Sequence, residues 1–253
     1  KHNFDGFIIA TPPSEHYKNA KLILESGYHL LVEKPITLNK KDAIKLNAIA
    51  IKNKVNLMVG HLLLFHPAFQ MIKKILDEGD LGQLQYIYSN RLNYGTIRNK
   101  ENVFWSFAPH DIALFQYFFN DVPIGINSNG VDILQPGIHD TTITSFKYKN
   151  NKMGHIFVSW LHPFKEHRFI VIGSKGMIHF EDSNEHKPLI LYNKSVNFKG
   201  EIPVAGTGKS KMISYEFEFP LEAELKYFIK HLDGSEIKIA NGQSAVEVMD
   251  ILE

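Results

Sequence analysis

The stretch FDGFIIATPPSEHYKNAKLILESGYHLLVEKPIT, residues 4–37, decides how this chain folds. Residues 4–11 are apolar and rich in β-branched side chains, and they close on Thr-Pro-Pro. That is the pattern of a short buried parallel strand. Ser14 is placed to cap a helix over about 15–26, whose Ala20, Leu22, Ile23 and Leu24 would face a sheet and which Gly27 would stop. A second strand, 29–33, ends at Glu33, followed at once by Lys34 and Pro35. Strands usually run into Gly, Asn or Asp turns. An adjacent carboxylate and ammonium held by a proline is a different kind of ending, because Pro35 confines Lys34 to extended conformations.

The pattern continues outward. Asn39 can cap a helix over about 40–53, carrying Ala43, Ile44, Leu46, Ile49 and Ala50. VNLMVGH, 55–61, reads as a third strand, and Pro67 opens a helix that Gly79 ends. Strand and helix alternating through short turns specify right-handed βαβ units. In such sheets ligands lie beyond the carboxyl ends of the strands, where Thr11, Glu33 and Gly60–His61 fall. From about residue 84 the texture changes. QLQYIYSNRLNYG alternates like an antiparallel strand, and a helix is expected at 108–119. Strands are expected near 124–133, 140–148, 153–160, 168–173, 177–181 and 189–193. Helices close the chain at 219–232 and 243–253, and the stretch 200–211 reads as a mobile loop. The expected class is α/β: a doubly wound parallel Rossmann-type sheet over residues 1–80, then an α+β open-faced mixed or antiparallel sheet over 81–253.

Composition narrows the function classes. Among 253 residues, 28 are basic and 27 acidic, a net charge of +1, so no bulk field recruits nucleic acid or an anionic membrane. Arg91, Arg98 and Arg168 are the only arginines, few for reading bases. The absence of cysteine excludes disulfides, thiolate zinc sites and cysteine nucleophiles. No apolar run approaches the roughly 18 residues of a membrane span. No signal peptide is visible, and the expected compartment is the cytoplasm. GTGKS at 206–210 lacks the spacing of a phosphate loop.

The residues 10–37 resemble the Gfo/Idh/MocA family of nicotinamide-dependent sugar and polyol oxidoreductases. The resemblance rests on Thr11-Pro12-Pro13, His16, the Gly27 stop and Glu33-Lys34-Pro35, and it extends to VGHLLLFHPAF (59–69) and FAPHDI (107–112). It implies an N-terminal Rossmann domain and a C-terminal mixed sheet used for homo-oligomer contacts, as a dimer or tetramer. NAD or NADP is the implied cofactor. The fingerprint G-x-G-x-x-G and its ribose-binding acid are not in this sequence. Residues 1–13 look like the fourth strand of such a domain, so about 60–70 residues would precede them, at roughly 30 per βαβ unit. At a finer grain, residues 88–112 and 159–180 look like the branch that acts on nucleotide sugars.

The resemblance assigns roles. Lys34 and His110 would be catalytic: an ammonium can stabilise charge developing on a substrate oxygen, and an imidazole can take the hydroxyl proton. The Lys34–Pro35 bond would be cis. Thr11, Pro12, His16, Glu33, Lys34 and His61 would meet the cofactor, and Arg91, Asn93, Tyr94 and Asp111 the substrate, with Trp160, His162 and Lys165 as weaker candidates. The family often has an Asp four residues before the histidine; Ser106 stands there, so Asp111 either compensates, caps or pairs. His61, His66 and His110–Asp111 are conceivable metal ligands, but no tight ligand motif occurs, and no metal is expected. The leading function is hydride transfer between a sugar or nucleotide-sugar secondary hydroxyl and nicotinamide. The alternatives are an NAD-dependent glycosidase-type enzyme and a non-catalytic ligand-binding regulator.

Overall fold

The computed structural model describes residues 4–253, and the chain divides into two compact units. The first comprises the residues up to His66, Ile112–Tyr117 and Glu218–Glu253; the second comprises Pro67–Asp111 and Phe118–Phe217. The division falls at 66 rather than 80, and the two C-terminal helices belong with the N-terminal strands.

In the first unit β1 (Gly6–Ile9), α1 (Pro13–Glu25), β2 (His29–Glu33), α2 (Lys40–Asn53) and β3 (Leu57–Gly60) alternate, and the strands form a parallel sheet in the order β1-β2-β3. Ile9 pairs with Val32, and Glu33 pairs with Gly60, so the strands end side by side. β2 is central, and its Leu30, Leu31 and Val32 are buried. Ser14 does not cap α1. Pro13 already occupies the first helical position, where its fixed φ suits a helix start, and no side chain caps the helix. Leu22 is exposed, because the buried stripe is His16, Ala20 and Leu24 at spacing four. Ile44 is likewise outside the Ala43, Leu46 and Ala50 stripe of α2. Gly27, at φ 80°, supplies the left-handed residue that ends α1, and Asn39 caps α2 by accepting from the Asp42 N–H at 2.9 Å.

A 3-10 turn, Leu62–Phe65, follows β3. At the other end of the sequence lie α6 (Pro220–Lys230) and α7 (Gly242–Leu252). α6 packs on the 3-10 turn, with Phe65 and Tyr227 rings 5.3 Å apart. α7 packs on α2 and β3, and just before it the Val59 N–H donates to Ala240 O at 2.8 Å.

The second unit contains α3 (Pro67–Asp77), β4 (Leu84–Tyr94), α4 (Val103–Phe107) and the ends of α5 (Pro109–Phe119), whose middle belongs to the first unit. β5 (Gly125–Val131), β6 (Thr141–Lys147), β7 (Met153–Ser159), β8 (Leu161–Gly173), β9 (Met177–Glu181), β10 (Leu189–Tyr192), β11 (Val196–Lys199), β12 (Ile202–Ala205) and β13 (Ser210–Met212) follow. Eight of these strands form a mixed sheet in the order β13-β10-β9-β8-β4-β7-β6-β5, with β4–β7 as its parallel pair. The stretch 200–211, expected to be a loop, contains β12 and the start of β13, and β11–β12 is a separate hairpin. One face of the large sheet is buried: Ile87, Ile156, Val158, Phe169, Val171 and Phe180. Phe69 of α3 and Phe118 of α5 pack edge-on against it, the Phe69 ring 5.1 Å from Phe169 and 5.2 Å from Phe180. The alternate residues, among them Tyr86, Tyr88, His155, Ile170 and His179, lie on the opposite face and are only half-buried. Among the described residues no helix is long and apolar enough to cross a membrane.

Candidate active site

The carboxyl ends of β1, β2 and β3 carry Thr11–Pro12, Glu33–Lys34 and Gly60–His61. The parallel register of the sheet therefore places three of the sequence-selected pairs along one sheet edge. The Lys34–Pro35 peptide bond is cis. His16, wholly buried on α1, ties this turn to β1: its Nδ1 lies 2.8 Å from Pro35 O and its Nε2 2.8 Å from Thr11 O. With a carbonyl at each nitrogen, the ring is a strut between backbone segments, whereas Thr11 and Pro12 themselves are exposed.

Glu33 folds back over β3. Its Oε2 accepts from the Lys34 N–H at 3.3 Å, and it lies 2.8 Å from where a Cβ on Gly60 would stand. Any side chain at position 60 meets the Glu33 carboxylate and would displace it from this seat. His61 is 2% exposed. Burial, with the Lys34 ammonium as a second cause, lowers its pKa to about 4, so the ring is neutral at physiological pH.

One buried acid in the same unit escaped the sequence reading. Glu224 of α6 is 1% exposed, and burial followed by repulsion from the Glu33 carboxylate raises its pKa to about 8. The signal was present in LEAELKYFIK: Glu224 and Phe228, four apart, lie on one helix face, and both are buried.

The remaining candidates lie in the second unit. His110 is half-buried in the first turn of α5, and Ser106 is half-buried in α4. Asp111 is wholly buried and pairs: Arg91 Nε donates to its Oδ2 at 2.7 Å, Arg91 Nη2 to its Oδ1 at 3.1 Å, and Ser89 Oγ to Oδ1 at 2.6 Å. Arg91, 14% exposed at its side chain, has a raised pKa: burial opposes its charge, and Asp111 more than offsets this. These two residues, read from sequence as substrate contacts, form a fork-to-fork ion pair in the sheet layer. Asn93 is half-buried and Tyr94 is 72% exposed, one residue apart at the end of β4. Trp160 is buried with its indole N–H on Asp140, whose Oδ2 also accepts from Ile133 N and Leu134 N at 2.8 Å each. His162 and Lys165 lie on β8, and His162 Nδ1 meets Phe164 O at 2.8 Å. Among the described residues no group of three His, Asp or Glu side chains is placed to hold a metal ion.

The sheet edge offers polar groups of the kinds that hold a dinucleotide: a carboxylate acceptor at Glu33, an ammonium at Lys34 and an exposed hydroxyl at Thr11.

Comparison with known proteins agrees with this fold. Residues 1–61 match the model of an oxidoreductase family with an NAD-binding Rossmann fold, and residues 69–179 match the GFO/IDH/MocA C-terminal domain. UDP-N-acetylglucosamine 3-dehydrogenase of Acidithiobacillus ferrooxidans is 29% identical over 128 residues, covering 50% of this chain and 40% of that protein. A solved structure of the enzyme of that name from the same organism superposes with a TM-score of 0.84 at 21% identity, over 98% of this chain and 76% of the other. An inositol dehydrogenase homologue of Azotobacter vinelandii, complexed with NADH and myo-inositol, superposes at 0.79 with 18% identity, over 98% and 73%. The chain spans about half the length of the curated relatives it matches.

Proposed function

The chain belongs to the GFO/IDH/MocA oxidoreductase family, with its NAD-binding Rossmann fold, and from that premise we propose that it forms the catalytic part of an NAD-dependent dehydrogenase for a secondary hydroxyl of a nucleotide-linked sugar. The observation that carries the reading is the Glu33-Lys34-Pro35 turn at the carboxyl end of the central parallel strand. The match to a UDP-N-acetylglucosamine 3-dehydrogenase supports the nucleotide-sugar choice.

NAD, when bound, supplies the hydride acceptor. Thr11, Pro12 and Glu33 hold its nicotinamide–ribose end, while His16 keeps the two segments that carry them in register. Lys34 donates hydrogen bonds to the substrate oxygen on which negative charge develops. Neutral, buried His61 leaves Lys34 without a competing cation. His110 accepts the hydroxyl proton.

The test is steady-state oxidation of UDP-N-acetylglucosamine and of inositols, followed by NADH formation, in the enzyme containing this chain. Lys34→Ala is expected to lower kcat by about 100- to 1,000-fold with NADH affinity nearly unchanged, the scale of losing one oxyanion donor. His110→Ala is expected to cost about 100- to 10,000-fold near neutral pH. Full activity in Lys34→Ala would overturn the assignment. Tightly held NADH that cycles without net release would favour the transient-oxidation chemistry of NAD-dependent glycosidases.

A further inference from the structure

Glu224 has no role in the chemistry above, yet it is a carboxyl group buried in the same unit as the Glu33-Lys34-Pro35 turn. Its Oε1 is buried and has no hydrogen-bond partner among the described residues. Four residues on, Phe228 points toward β1, where its ring lies 3.3 Å from the place of a Cβ on Gly6. Glu224, on the same face, is thereby directed inward. The element packed on α6 is the 3-10 turn Leu62–Phe65, which carries no charge and is flanked by buried His61 and His66. Tyr227 and His231 follow on the helix side, and the Tyr227 ring covers Phe65 and His231. The 3-10 turn follows directly on Gly60–His61, and the Glu33 carboxylate folds over Gly60, so α6 packs beside the strand end that carries Glu33. After burial, repulsion by Glu33 is the second cause that raises the Glu224 pKa.

An ionised carboxylate in such a place would be desolvated, short of donors and repelled by Glu33. We propose that Glu224 is a positioning residue of the Glu-Lys-Pro turn: it carries a proton at neutral pH, so that Glu33 alone bears the negative charge beside Lys34, and its ionisation drives Glu33 from its seat over Gly60. The burial that makes the proton stay also sets when it leaves, near pH 8. The catalytic half of this inference rests on the dehydrogenase reading; the protonation half does not.

The experiment has two arms on the same variants. Infrared difference spectroscopy of the chain across pH is expected to show a protonated-carboxyl carbonyl band that is present at neutral pH and lost on the alkaline side. At neutral pH, where ordinary carboxylates with pKa values near 4 are ionised, the band is absent in Glu224→Gln. In Glu33→Gln it is lost at lower pH, because the repelling charge is gone. In the second arm, kcat is expected to fall about tenfold per pH unit above the same transition, as a single titration requires, and this limb is expected to flatten in Glu224→Gln. Glu224→Leu, which cannot hold a proton, separates lost packing from lost titration: it too lacks the limb, at a lower plateau. A band that survives at neutral pH in Glu224→Gln overturns the proton assignment. Loss of the band with an unchanged alkaline limb overturns the positioning role. An enzyme with no dehydrogenase activity in any form sinks the dehydrogenase reading and leaves the infrared arm standing.

Discussion

Replacing Arg91 by Met asks whether this residue holds the second unit together or reads a substrate. The substitution keeps an unbranched apolar stem and deletes the guanidinium. Asp111, at 0% exposure, then keeps one close donor, Ser89 Oγ at 2.6 Å, in place of three. Breaking a buried pair by removing one partner costs about 3–5 kcal/mol, because the surviving charge is stranded. Set against a total stability of roughly 5–15 kcal/mol, that is a large fraction. At about 2–4 °C per kcal/mol for a chain of this size, the melting temperature falls by roughly 10 °C. Arg91→Lys keeps the charge but not the planar fork, and is expected to lose less. The double variant Arg91→Met/Asp111→Leu removes the stranded carboxylate and is expected to recover most of the loss. Urea unfolding followed by circular dichroism reads all three. If Arg91→Met costs under about 1 kcal/mol while raising KM, or if the double variant is no more stable than the single one, the structural assignment fails and Arg91 belongs to substrate recognition.

Gly60→Ala puts a Cβ 2.8 Å from Glu33 Oε2 and is expected to push that carboxylate from its seat; NADH fluorescence titration would show weakened binding, and wild-type affinity would refute a role for the seat. His61, with its pKa lowered to about 4, binds fewer protons folded than unfolded. Its stabilisation is therefore full above about pH 6.5 and is lost toward pH 4, at about 1.4 kcal/mol per unit. A His61→Gln variant whose urea midpoint keeps the wild-type acid slope would contradict this. Glu224 acts with the opposite sign: the unfolded chain ionises it first, so stability falls as pH rises from about 4.5 toward 8, and Glu224→Gln is expected to remove that decline. Ile170→Asp, on the half-buried face of the large sheet, is expected to lower the mass seen by light scattering if that face joins copies of the chain; a monomeric parent protein would dispose of the idea.

Much of this molecule is legible in one dimension. The βαβ alternation, the Gly27 stop, the Asn39 cap and the Glu-Lys-Pro ending of β2 depend on residues within a few positions of one another, and local steric and hydrogen-bonding preferences act at that range. The parallel strand ends follow as well, because short connections between buried strands leave few other arrangements. Which apolar residue of α1 turns inward was not legible: Leu22 and Leu24 are alike in hydrophobicity, and only the packed face separates them. Nor was the short hairpin β11–β12, whose exposed strands lack a buried alternation. Charged side chains show the limit most clearly. The sequence presents Arg91, Asp111 and Glu224 as ordinary polar residues at 20 and 113 positions' separation, and nothing local says whether each will meet water, a ligand or another charge. The tertiary structure decided it by burial. Once desolvated, Asp111 needs a guanidinium and finds Arg91, whereas the Glu224 Oε1 is buried with no hydrogen-bond partner among the described residues, and burial raises its pKa instead.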